Sequence, residues 1–290
     1  MRDAARRRLA VGFFDGVHLG HREILAGADA ALTFNRHPLS VLAPERAPKL
    51  LMSFEERMAA IGALGIEDVT ALDFTEELAA MPAERFASEY LAGYTVRCGA
   101  DWRFGSGGEG GVEWLRRNGY EAETVAFGNY GGGRISSSRI RAALCEGDVG
   151  AAAAMLGRPY TLKGRVSGGK GMGSRIGFPT VNVKVDAAKS AALPRRGAYL
   201  VSVGGMKGVA NYGVAPSMGD DAWPESVLEI HFPGRSVDFA CGDAVTAEFL
   251  GFIRPERKFA SVAELMAQIG RDIAGLNGLF KKGSLYGHDS

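Results

Sequence analysis

Two histidines three residues apart, His18 and His21, stand in the stretch VGFFDGVHLGHREIL between Val11 and Leu25. The chain has only five histidines, so the pairing asks for a chemical reason. Apolar residues (Val11, Gly12, Phe13, Phe14) give way to Asp15 and Gly16, and then to a helical pattern. A helix start offers unpaired backbone N–H groups and partial positive charge, which favour phosphate. Imidazoles at i and i+3 share a helix face. Both can donate hydrogen bonds as charge builds on a phosphate in transfer. A metal centre would need a third ligand nearby, and none stands there.

A second stretch, ISSSRIR at 135–141, carries consecutive serines able to cap a helix. Arg139 and Arg141 follow, where the outer phosphates of a triphosphate would need neutralising. The chain also holds 41 glycines in 290 residues, about twice the usual share of roughly 7%. Glycine supplies positive φ and lets backbone approach a ligand closely, so tight turns and phosphate loops are both open readings.

These groups need elements to position them. Residues 9–14, 30–34, 68–74 and 95–100 read as strands. Helical patterns cover 54–64, with Phe54, Met58, Ile61 and Leu64 on one face, then 83–93, 137–147 and 148–156. Strands alternating with helices imply a parallel sheet with crossover helices. GRPY at 157–160 ends that pattern. Strands are then expected at 160–166, 181–185, 198–203, 208–213, 227–232 and 245–253, separated by glycine-rich turns. Six strands without interleaved helices suggest a closed or nearly closed barrel. One helix over 261–276, with Val262, Leu265, Ile269, Ile273 and Leu276 in register, packs on it. The expected domains are 1–156 and 157–290.

Composition excludes several classes. A net charge of +1 gives no global footprint for nucleic acid. No apolar run reaches the roughly 20 residues of a membrane helix. The basic start MRDAARRR lacks the long apolar run and cleavage site of a signal peptide. Cys98, Cys145 and Cys241 are scattered and odd in number, which suits neither a disulfide framework nor a zinc site. The cytoplasm is the expected location, and a monomer or weak oligomer the expected state.

The F-D-G-x-H-x-G-H stretch resembles the HxGH signature of nucleotidyltransferases. TFNRHP (33–38), GADWRFGSGG (99–108) and ISSSRIR resemble the FMN adenylyltransferase half of the bacterial bifunctional riboflavin kinase/FMN adenylyltransferase family. Beyond residue 157, GRVSGGKGMGSRIGFPTVNVKV, GVANYGVAPS, VLEIHF and FIRPERKFAS resemble its riboflavin kinase half, in order. The resemblance implies a Rossmann-like α/β nucleotidyltransferase domain with a parallel sheet, then a six-stranded antiparallel β-barrel kinase domain with a C-terminal helix. It implies two ATP-dependent steps, riboflavin to FMN and FMN to FAD, with Mg2+ as cofactor. Riboflavin, FMN and ATP would be the only partners, without nucleic acid or membrane.

By the same resemblance, His18 and His21 serve adenylyl transfer. Gly12, Phe13, Asp15, Gly16, Ser137, Arg139 and Arg141 bind nucleotide there, and Gly169, Gly171 and Gly173 bind it in the kinase. Thr180 and Asn182 fall on the family's Mg-ATP positions, and their hard oxygens suit magnesium. Glu229 falls on the catalytic base. His37, Asp101, Phe104, Asn211 and Arg254 fall on flavin contacts. Three departures stand out: a short segment from His21 to Phe34, an arginine shifted by one residue in the kinase loop (Arg175), and APS at 215–217 followed by an acidic run. They keep two other readings open, an adenylyltransferase with a degenerate kinase half and a flavin or nucleotide sensor without turnover.

Overall fold

The computed structural model describes residues 6–168, 180–186, 191–215, 225–235, 237–257, and 264, 267, 268, 270 and 271. The chain divides into two compact units, Met1–Arg139 with Ser190–Ala192, and Ile140–Lys189 with Leu193–Ser290.

In the first unit, strands β1 (Arg7–Val11), β2 (Ala30–Phe34), β3 (Asp68–Leu72), β4 (Tyr94–Gly99) and β5 (Glu121–Val125) form one sheet in the order β3-β2-β1-β4-β5. Every pairing is parallel. A parallel sheet is covered on both faces, so its central strands read as continuous apolar runs. β1 and β2 do so. Leu9, Val11, Ala30 and Leu32 pack on one side with Phe86, Leu91, Val112 and Leu115. Ala10 and Ala31 pack on the other with Ile24, Leu25 and Ile61. Those helical residues come from α1 (Leu19–Leu25), α3 (Phe54–Gly62), α5 (Ala83–Phe86) with a following π-turn (Ala87–Leu91), and α6 (Val112–Arg117). Two four-residue helices, α2 (Leu39–Leu42) and α4 (Glu76–Ala79), lie in the connections. A two-residue hairpin pairs β6 (Asn129–Tyr130) with β7 (Gly133–Arg134).

Several expectations shift. β1 stops at Val11 rather than Phe14, because the chain turns left-handed at Phe14 (φ 58). β5 was not anticipated, since its EAETV sequence is an edge strand with too few apolar residues to signal itself. In α3, Leu64 falls beyond the helix and is 42% exposed, while Arg57, not expected on the apolar side, is 2% exposed. The short first crossover is real: α1 spans seven residues, about two turns.

In the second unit, β8 (Tyr160–Ser167), β9 (Thr180–Val185), β10 (Gly197–Val203), β11 (Met206–Ala215), β12 (Glu225–His231) and β13 (Ala244–Pro255) close into a barrel in the order β10-β11-β12-β9-β8-β13. All six pairings, including β10 with β13, are antiparallel. Inward residues alternate with outward ones along barrel strands. Tyr160, Tyr199, Tyr212 and Phe249 fill the interior, with Tyr199 and Phe249 crossing edge to face at 4.9 Å. Helix α7 (Ser137–Glu146) spans the division between units, and α8 (Val149–Leu156) packs on β8 and β13. The compact division therefore falls upstream of residue 157. The buried stripe of α8 (Val149, Ala152, Ala153, Met155, Leu156) has barrel strands to cover it. Of the expected C-terminal helix, Glu264, Ala267, Gln268, Gly270 and Arg271 are helical. Its apolar stripe at 262, 265, 269, 273 and 276 lies outside the described residues.

Candidate active sites

In an open parallel sheet, ligands bind beyond the carboxyl ends of strands where the strand order reverses. Here that point lies between β1 and β4, since the chain leaves β1 toward β2 and β3 and returns to β4 on the other side. The loop after β1 carries Phe13 to His18, and the loop after β4 carries Asp101.

The β1 loop is tightly wound. Phe14 (φ 58), Gly16 (φ 84) and Val17 (φ 39) all take the left-handed region. For β-branched Val17 that is a genuine outlier, and such residues cost on the order of 1–3 kcal/mol each. Gly12 makes room, because a Cβ there would meet the Phe14 ring at 2.8 Å. Asp15 is buried and its Oδ1 accepts the Leu51 N–H at 2.9 Å.

The loop delivers the histidines. His18 is the N-cap of α1 rather than a residue in its first turn, and its Nδ1 accepts the His21 N–H at 3.2 Å. The two rings stack at 3.5 Å between centroids and 14° between planes. The Phe14 ring meets His21 edge-on at 5.5 Å. The Nδ1 of half-buried His21 is covered and without a partner. Burial pushes the His21 imidazole well below its ordinary pKa, helped by His18, Arg134 and Arg57. It is neutral at pH 7, and a neutral imidazole can still donate one N–H.

The serine–arginine stretch separates into three roles. Ser136 Oγ caps α7 by accepting the Arg139 N–H at 3.3 Å. Ser137 Oγ instead donates to the Asp15 carbonyl at 2.9 Å, tying the start of α7 to the β1 loop. Arg139 was expected on phosphate. Its guanidinium is spent on the hairpin, donating to the carbonyls of Gly133 (2.5 Å), Arg134 (2.8 Å) and Tyr130 (3.0 Å). Arg141 lies two residues on in the same helix, half-buried, and residues two apart do not share a helix face.

The expected flavin contacts of this unit also part. The His37 ring meets Phe13 edge-on at 4.8 Å, and its Nδ1 accepts the Leu39 N–H at 3.1 Å. Exposed Asp101 pairs with Arg134 at 2.7 Å. The Arg134 guanidinium lies 3.2 Å over the Phe127 ring. Phe104 stands apart from these two. It is buried, stacked on Trp102 at 4.7 Å and edge-on to Trp114 at 5.6 Å. Its ring packs the core, and half-buried Trp102 is the more accessible aromatic.

Sequence reasoning missed Arg57. It is buried, donating to the carbonyls of Phe34 (2.6 Å), Phe13 (2.8 Å) and Asn35 (3.3 Å), with its carbon 3.9 Å over the Phe13 ring. Burial pulls its pKa down to about 10, opposed by Asp15, so it stays charged. A signal existed: a charge three residues after Phe54 and four before Ile61, on the apolar stripe of α3.

In the barrel, strand register brings the candidates together. Asn182 of β9 pairs with Glu229 of β12, and Glu229 with Asn211 of β11. The row continues through Ala198 of β10 to Arg254 of β13. Leu228 and Ile230 point inward, each 1% exposed, so Glu229 between them points out. Directly opposed residues share a face with Cβ atoms about 4.5–5.5 Å apart. Thr180 sits two residues before Asn182 on the same outward face, opposite buried His231. An amide, a hydroxyl and a carboxylate on adjoining strands make a hard-oxygen donor set of the kind magnesium takes. Gly169, Gly171 and Gly173, with Arg175, lie outside the described residues. Among the described residues no group of three or more His, Cys, Asp or Glu could hold a metal ion.

A histidine pair at the switch point of a doubly wound sheet, followed by an antiparallel barrel with an ordered polar row, defines a two-unit phosphate-transferring protein. Comparisons with known proteins make this particular. Residues 2–139 match the FAD synthetase family and residues 156–280 the riboflavin kinase family. The bifunctional riboflavin kinase/FMN adenylyltransferase of Escherichia coli K12 is 34% identical, over 91% of this chain and 90% of its own. That of Bacillus subtilis 168 is 33% identical, over 93% and 91%. A crystal structure from Streptococcus pneumoniae described as a macrolide-efflux protein superposes with a TM-score of 0.81 at 27% identity, over 93% of each chain. Among the described residues no helix is long and apolar enough to cross a membrane. The chain belongs to the bifunctional riboflavin kinase/FMN adenylyltransferase family.

Proposed function

We propose that each unit performs one ATP-dependent step of flavin cofactor synthesis, and that the residues above divide the work as follows. In the barrel, Glu229 accepts the proton of the ribityl 5′-hydroxyl as that oxygen takes the γ-phosphoryl group of ATP, giving FMN. Asn211 and Arg254, in the same cross-strand row, contact the flavin. Thr180 and Asn182 hold magnesium, which when bound neutralises charge on the transferring phosphates.

In the α/β unit the FMN phosphate attacks the α-phosphate of ATP, and pyrophosphate leaves. His18 and His21 stabilise the charge that develops there. The β1 loop (Gly12, Phe13, Asp15, Gly16) approaches the nucleotide with its backbone. Ser137 and Arg141 serve the outer phosphates, while Arg139 holds the hairpin. His37 and Asp101 flank the flavin.

The stacked His18–His21 pair at the strand-order switch carries the adenylyl assignment most directly. The test is one time course with riboflavin, ATP and magnesium, resolved by chromatography, beside a second started from FMN. FMN followed by FAD supports both steps. FAD formed only from FMN would leave the barrel without kinase activity. Bound flavin without product in either tube would make the protein a sensor.

A further inference from the structure

Arg57 has no part in the reaction steps above, yet it is a buried charge that donates a hydrogen bond to the β1 loop. Ser53 and Glu56 form a capping box at the start of α3, which fixes where that helix begins and hence where Arg57 points. The buried Asp15 carboxylate acts on this guanidinium through its charge, yet its hydrogen bonds go to main chain, and an apolar side chain of similar volume often serves packing as well or better. The use of this one is local. Its three acceptors are main-chain carbonyls at the ends of β1 and β2.

The Phe13 carbonyl is the important one. It accepts from Arg57 at 2.8 Å and from Thr33 Oγ1 at 3.2 Å. The next residue is left-handed Phe14, and left-handed Gly16 and Val17 follow before His18. The Phe13 ring contacts the Arg57 guanidinium, 3.9 Å from its centroid, and meets the His37 ring edge-on at 4.8 Å. The Phe14 ring then abuts His21. Arg57, with Thr33, thus holds the peptide from which a strained turn springs, and both aromatic rings beside that turn touch histidines.

We propose that Arg57 is a positioning residue for adenylyl transfer, clamping the Phe13 peptide so that the left-handed turn sets His18 and His21 in stacked register for the reacting phosphate. This rests on the reading that the histidine pair serves the adenylyl step. Misplacement of reacting groups by about 1 Å is enough to cost roughly a hundredfold in rate.

The experiment compares Arg57→Met, Arg57→Lys and Thr33→Val in the full-length protein. Riboflavin phosphorylation by the barrel serves as an internal reference for active chain, and thermal melts report folding. The expected result for Arg57→Met is a fall in kcat for FAD formation of roughly a hundredfold, with KM for FMN and ATP within about threefold and riboflavin phosphorylation unchanged. Arg57→Lys, which keeps the charge and part of the carbonyl bonding, should recover about tenfold of that loss. The histidine ring resonances in NMR spectra should move in Arg57→Met and return toward wild type in Arg57→Lys.

A folded Arg57→Met with wild-type kcat would overturn the proposal. So would a loss carried wholly in KM. Should Arg57→Met fail to fold, Thr33→Val decides: it removes the other donor to the Phe13 carbonyl, and a kcat fall of several-fold at unchanged KM supports the clamp, while no change overturns it. His21→Ala separates the two layers. Full activity in His21→Ala sinks the histidine reading, whereas an inactive His21→Ala beside a fully active Arg57→Met sinks only the clamp.

Discussion

In the α/β unit the groups assigned to chemistry stand on loops beyond strand ends, and several are interior. Asp15, His18 and Arg57 are buried, and the backbone from Phe14 to Val17 is left-handed at three positions. In the barrel the corresponding groups ride on strands and face outward, where register alone aligns Asn182, Glu229 and Asn211. The first site is assembled by a web of hydrogen bonds to backbone. The second is printed on the outer face of strands whose inner face buries Val183 in β9, Leu228 and Ile230 in β12 and Tyr212 in β11. A substitution in the first should therefore disturb activity and stability together, and one in the second should separate them.

The sharpest probe is Glu229→Gln. FMN formation should fall by about 10²–10⁴-fold, the usual worth of a general base, with the melting temperature unmoved and FAD formation from supplied FMN intact. An equal loss of stability would break the contrast. His21→Ala should lower FAD formation by about 10²–10³-fold, leaving riboflavin phosphorylation as it was. Asp15→Ala should show the coupling directly: an unfolding cost of about 1.5–3 kcal/mol for a lost charged hydrogen bond, together with slower FAD formation. In the barrel, Asn211→Ala should change stability by less than about 0.5 kcal/mol, both effects being read from denaturant melts.

The smallest effect is one of pH. His21 has a depressed pKa in the folded state, so the unfolded chain binds the proton more readily. Stability is then greatest above the ordinary histidine pKa of about 6.5, and is lost as pH falls from there toward the folded value. Melts between pH 7.5 and 5 should show wild type losing more than His21→Gln. Equal losses would mean that His21 is not held neutral by burial.

The sequence made the larger architecture legible because each unit obeys one period. Alternation of strand and helix up to 156 and six strands without helices after it are both patterns of apolar residues, and apolar residues are what a core selects. The polar edge strand Glu121–Val125 escaped for the same reason. The histidine pair and the barrel candidates were legible as residue types at fixed spacing. Arg139 and Arg141 were read together although residues two apart on a helix diverge by about 200°, and the hairpin that occupies Arg139 has no signature of its own. Phe104 was expected on flavin by resemblance, and the partners that bury it, Phe86 and Trp114, are 18 and 10 residues away in sequence. Nothing in Phe14 or Val17 announces a left-handed backbone, since those residue types disfavour it. The strain is imposed by tertiary contacts, among them the bonds to Phe13.

The hydrogen bond from Ser137 to the Asp15 carbonyl joins residues 122 positions apart, and β1, which precedes the other four strands in chain order, lies at the centre of its sheet. Such wiring has a high contact order, and non-local pairings of this kind fold slowly because loop closure precedes reward. During synthesis β1 must wait, with one edge unpaired, until β4 and then Ser137 have emerged. A chain truncated before Ser137 would carry every histidine of the adenylyl loop and still lack the bond that ties α7 to that loop.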